Sequence, residues 1–148
     1  MGSARLLERV LRVREMEEAE SRRRLETALS ELARMEQSLA DAGARERAGR
    51  ELVNASARSG EVTDRIAGIE ESRNARRRAA WLAPRVESAK TAVASLRDGY
   101  LEKRARRRQA ETLAARQRAQ EEAANLRRGQ QALDEWHLNR RRIDGERQ

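Results

Sequence analysis

Between residues 4 and 42 the chain contains neither glycine nor proline, and within that stretch Leu25, Ala28, Leu32, Met35, Leu39 and Ala42 recur at alternating steps of three and four. A helix with that period shows one narrow apolar stripe, which a second helix covers. Leu82, Val86, Ala89, Val93, Leu96 and Tyr100 repeat the steps later in the chain, so the sequence carries both halves of a seam. The expected fold is all-α: a long two-helix antiparallel coiled coil with a short helical connector. It is read as a single coiled-coil domain over residues 1–148. The first long helix is placed at 4–57, the connector with its short helix at 58–83, and the second long helix at 84–143.

Composition supports the thin seam over a globular core. Charged residues make up 39% of the chain and there is no Phe, so the apolar supply is mostly Ala and Leu, both strong helix formers. With no cysteine, disulfides and thiolate chemistry are excluded. No segment approaches the roughly 18 apolar residues of a membrane span, and the start lacks a signal-peptide hydrophobic region, which predicts a soluble cytoplasmic protein.

The joints are read from glycine, serine and proline. Gly43, Gly49, Gly60 and Gly68 lie in the middle of the chain with a weaker apolar pattern of Val62, Ile66 and Ile69, which predicts a bent connector. A break is expected near residues 57–60, with Ser59 capping the next helix and Glu61 in its first turn. Pro84 fits the first turn of a helix or a kink. Near the N-terminus, Leu6, Val10 and Val13 form a stripe offset from the later one, and residues 15–24 are polar apart from Met16 and Ala19, so the seam is expected to slip phase there. In the second helix the stripe resumes with Ala119, Leu126 and Leu133, accompanied by Ala123, Trp136 and Ile143.

Charge is uneven. Residues 1–74 carry 14 basic and 15 acidic groups, whereas residues 75–148 carry 19 and 10. An antiparallel register in which paired residue numbers add to about 144 matches acid with base, setting Glu17 against Arg127 and Leu25 against Ala119. It also brings the two chain ends together and leaves Lys103, Arg104, Arg106, Arg107 and Arg108 largely uncompensated, facing residues 36–41. That basic run has three readings: a solvated helix face, a docking surface for an acidic protein, or a nucleic-acid contact.

Nothing in the sequence assembles a catalytic, cofactor or metal site. His137 is the sole histidine, and no phosphate-binding loop occurs. Trp81 and Trp136 are either seam residues or, if exposed, interface anchors.

Three stretches carry a resemblance to a known family. LLERVLRVREMEEAESRRRLETALSEL contains a Leu-x-x-Val-Leu-x-x-Arg-Glu pattern leading into heptads; SARSGEV places a Ser-Gly break before a shorter amphipathic segment; and RRGQQALDEWHLNRRR sets Leu133, Asp134 and Glu135 before basic residues. In this order, over nearly the whole chain, they resemble the FliJ family of the flagellar type III export apparatus and its injectisome counterparts. The resemblance implies a non-enzymatic stalk whose paired ends enter a hexameric export ATPase. It also implies contact with the cytoplasmic domain of the export gate, a part in recycling export chaperones, and peripheral association with the inner-membrane apparatus. Small-molecule substrates and specific nucleic acid are not implied. On that footing the ring-facing candidates are Arg5, Arg9 and Arg12 on the first helix and Asp134, Glu135, Arg140 and Arg141 on the last; Trp136, as an interface anchor, and the basic residues Lys103, Arg104, Arg106, Arg107 and Arg108 join them as partner-binding candidates from the reading of aromatics and charge. A helix of about 55 residues is roughly 80 Å long, enough to reach between two complexes. A generic coiled-coil adaptor and a basic nucleic-acid-binding protein remain the alternatives.

Overall fold

One glycine decides how the two halves of the seam meet. The computed structural model describes residues 2–148, which form two helices, α1 at Gly2–Ser59 and α2 at Val62–Glu146, with Gly60 and Glu61 between them. Gly60 has φ of 76° and its N–H donates to the Ser56 carbonyl at 2.8 Å. A left-handed residue closing the last turn in this way is the usual glycine end of a helix. The Glu61 carbonyl then accepts the first bond of α2, from the Arg65 N–H at 3.3 Å, and the Ser59 hydroxyl takes the Glu61 N–H at 3.5 Å. The break therefore falls where it was expected, while α2 starts two residues later than a Ser59 cap implies.

The two helices pack antiparallel, and the all-α hairpin read from the heptads is the architecture observed. The separate connector is not. Residues 62–83 are the opening turns of α2 rather than a bent segment, and Pro84 sits inside that helix on an exposed face. A proline there leaves the Ala80 carbonyl without its helical donor, at a cost of about 3 kcal/mol. Leu82 and Val86 on either side are buried in the seam and offset it.

So short a turn also fixes the register. Helices leaving it at residues 59 and 62 must pair so that opposed residue numbers add to about 121, and the close approaches obey this: Gly49 with Ser72, Val53 with Gly68, Glu46 with Arg76, Glu18 with Arg107 and Ser3 with Gln117. The register near 144 inferred from charge is thus wrong. Exposed ion pairs contribute only about 0.2–1 kcal/mol each, too little to move a register set by a two-residue turn and a continuous seam. With it falls the inference that the chain ends meet.

By contact density the chain divides into two units, a turn unit at Glu20–Leu101 and a terminal unit comprising Met1–Ala19 and Glu102–Gln148. In the turn unit the sheltered positions of α1 run Ser21, Leu25, Ala28, Leu32, Met35, Leu39, Ala42, Glu46, Gly49, Val53 and Ser56, an unbroken heptad. Gly49 and Gly68, read as breaks, mark instead the closest approach of the helices. A Cβ on Gly49 would lie 2.7 Å from the Gly68 carbonyl oxygen, and one on Gly68 would lie 2.6 Å from the Gly49 oxygen. Only residues without a side chain let the two backbones come this near.

In the terminal unit the sheltered positions continue the same steps through Ala4, Leu7, Leu11, Arg14 and Glu18 of α1 and Lys103, Arg107, Ala110, Ala114, Gln117 and Glu121 of α2. The predicted phase slip does not occur. Polar side chains simply occupy seam positions, where their stems pack and their heads pair.

Candidate partner-binding site

Because α2 has 85 residues and α1 has 58, the fixed register leaves the end of α2 without an opposing helix. Every residue from 125 to 148 is exposed, including Leu126 at 75%, Leu133 at 60%, Trp136 at 52%, Leu138 and Ile143. Single exposed apolar side chains are ordinary on a protein surface; a row of them along one helix marks an interaction face. An open groove lined by Glu122, Asn125, Leu126, Gly129, Gln130 and Leu133 runs along this stretch.

A second apolar row lies on the same unit. Leu6, Val10 and Val13, with Met16, point outward from α1, one residue out of phase with the seam positions Leu7, Leu11 and Arg14. The offset stripe seen in the sequence is therefore not a displaced seam but an external face. One residue is about 100° round a helix, so a stripe that slips by one cannot face the same partner. That offset was the signal, and it was read as a distortion of the seam.

The predicted partner-binding residues divide between the surface and the interior of this unit. Arg5, Arg9 and Arg12 are exposed along α1. Asp134, Glu135, Arg140 and Arg141 are exposed on the projecting part of α2, so the structure does not bring the two sets together as joined ends. Trp136 stands on this segment with the His137 ring edge-on at 5.1 Å and the Arg140 guanidinium 5.2 Å from its centroid. A cation at that distance is attracted to the indole face. Trp81, in the turn unit, is likewise outside the seam, with the Arg85 guanidinium 3.6 Å over its ring.

The basic run, expected to be largely uncompensated, is compensated in part. Arg107 reaches across the seam to Glu18 at 2.7 Å and along its own helix to Glu111 at 2.6 Å; Arg106 bonds Glu102 at 2.5 Å. The hydrogen bond it donates to the Glu18 carboxylate holds the Arg107 guanidinium even more firmly protonated than usual. Glu17 is held below the ordinary carboxylate range first by its hydrogen bond from Arg14, then by the charges of Arg14, Lys103 and Arg106. The corrected register is the cause: it sets residues 103–108 against the acid-rich start of α1 instead of residues 36–41. Lys103, Arg104 and Arg108 form no ion pair among the described residues.

Exposed apolar rows bordered by charge thus mark this unit. No cluster of metal-ligating side chains is found among the described residues, and no described helix is long and apolar enough to cross a membrane. Compared with known families, the chain matches a model of the flagellar FliJ protein over residues 3–144. Neither the curated proteins nor the solved structures searched give a match.

Proposed function

The chain belongs to the FliJ family, whose members are components of flagellar type III protein export, and from that premise we propose that it is the non-enzymatic central stalk of the export apparatus. Its terminal unit engages the hexameric export ATPase. The stalk also contacts the cytoplasmic domain of the export gate and assists the recycling of export chaperones. It works in the cytoplasm, held at the inner membrane by the apparatus.

The observation that carries this reading is the exposed apolar row of Leu126, Leu133, Trp136 and Ile143 on an α2 end that no described residue covers. A helix with a solvated seam and bare apolar rows can lodge in a ring whose inner wall is apolar, while Arg5, Arg9, Arg12, Arg140 and Arg141 meet acidic rims. What enters the ring differs from the joined ends implied by resemblance alone. It is the start of α1 with its outward row, and the projecting part of α2.

The test is ATP hydrolysis and hexamer formation by the cognate export ATPase with added stalk. The native chain is expected to raise both several-fold, and the double variant Leu126→Asp with Leu133→Asp is expected to fail at equal concentration. No response to the native chain at saturation would overturn the proposal.

A further inference from the structure

The projecting part of α2 has its own heptad, distinct from the hairpin seam. Ala119, Leu126, Leu133 and Arg140 stand seven apart, and Glu122, Gly129, Trp136 and Ile143 follow each of them by three. Ala119 lies two residues, about 200° of helix, from both Gln117 and Glu121, which face α1. This stripe is therefore on the far side of α2 from the hairpin seam. A helix laid against it runs past residue 119 without displacing α1.

We propose that in the absence of other partners this face is covered by the same face of a second copy of the chain, the two α2 ends crossing antiparallel about residue 131. The second copy is chosen because the stripe matches itself in charge as well as in apolar residues when the two helices run antiparallel. When residue numbers from the two copies add to 262, Leu126 meets Trp136, Ala119 meets Ile143, and Glu122 meets Arg140. Leu133 meets Gly129, and each layer occurs twice by the twofold axis. Flanking positions then set Arg118 beside Glu146 and Arg116 beside Asp144 of the second copy.

Alternatives are disfavoured by the same side chains. A parallel pair stacks Glu122 on Glu122 and Arg140 on Arg140. Sliding the antiparallel pair by one heptad in either direction loses all three ion pairs, and the one stripe match gained, Glu122 with Arg147, falls beyond the end of α2. Charge thus selects orientation and register together.

Gly129 adds an independent reason. A glycine inside a helix weakens it relative to alanine, and nothing in the chain requires one here, since a Cβ at 129 meets no atom within 4 Å. Opposite Leu133 of a second copy, the missing side chain makes room for a large one. The overlap of residues 119–143 spans about 37 Å at 1.5 Å per residue, and it hides the row that the ATPase is proposed to bind, so self-pairing and engagement exclude each other.

Sedimentation velocity on the full chain alone tests this, with no ATPase present, so the stalk proposal stands or falls separately. The 16.9 kDa chain is expected to double its mass reversibly as concentration rises through about 1–100 μM, a range suited to a short exposed coiled coil. Glu122→Arg and Arg140→Glu are each expected to weaken the dimer by about tenfold or more, and the two together in one chain to restore it to within about threefold, because the charges are exchanged rather than lost. Gly129→Leu is expected to weaken it with unchanged helicity by circular dichroism. A monomer at every concentration would overturn the proposal. So would a double charge exchange no better than the single ones, which would remove this register.

Discussion

The turn unit and the terminal unit turn their small and apolar residues in opposite directions. Around Gly49, Gly68, Ala42 and Ala75 the seam is made of side chains so small that backbones nearly touch, and Leu82, Val86 and Val93 continue it as a buried row. In the terminal unit Arg14, Glu18, Lys103 and Arg107 hold seam positions, while Leu6, Val10, Val13, Leu126, Leu133 and Trp136 face outward. Buried apolar residues are concentrated in the first region and exposed apolar rows in the second. A coiled coil that turned all its apolar residues inward would have nothing left to dock with.

The sharpest way to break that contrast is to force the backbones apart. Gly68→Leu is expected to destabilise the hairpin by about 3 kcal/mol, at the upper end for overpacking, because the atoms it meets are the Gly49 oxygen and the Val53 backbone, which cannot swing away. Thermal unfolding checks this, with Gly99→Ala as a control expected to be neutral or slightly stabilising. Val86→Ala comes next, at about 1–2 kcal/mol for a residue only 3% exposed. Leu133→Ala should stay within about 0.5 kcal/mol by the same measurement while weakening partner binding. Equal losses from the two alanine variants would dissolve the distinction between the units.

Smaller effects belong to the polar seam. Glu18→Gln removes the carboxylate facing Arg107 and is expected to lower the melting temperature by less than Val86→Ala does. The pH response follows from the depressed carboxyls. Glu46 is held low first by its hydrogen bond from Arg76, and Glu17 by that from Arg14, so their contribution is complete above the ordinary value of 4.5 and disappears as pH falls through the depressed values. Glu61 acts oppositely, since its carboxyl is raised first by a hydrogen bond shared with Asp64 and then by the repulsion between the two charges, which acid relieves. Melting temperature is expected to fall between about pH 5 and pH 3, and Glu46→Gln to flatten that slope.

The seam was legible wherever apolar residues occupied it, as at residues 25–42 and 82–100, because a period of three and four has one helical meaning. It was illegible between residues 14 and 21, where Arg14, Glu18 and Ser21 hold seam positions that composition assigns to solvent. Gly49 and Gly68 were ambiguous for a related reason: glycine marks both a break and a close approach, and only the partner backbone distinguishes them. The register was misread because many weak charge pairs were set against a turn whose length the sequence had left open. Once Gly60 closes the turn, the unpaired end of α2, and with it the exposed setting of Trp136, follows from counting residues.

Amide hydrogen exchange of the chain, alone at a concentration where it is monomeric and then with the export ATPase, tests the division of labour most directly. The account predicts that exchange slows on binding at residues 2–16 and 119–146 and is unchanged through residues 42–56 and 65–79. Protection appearing around Gly49 and Gly68 with none on the projecting part of α2 would contradict it.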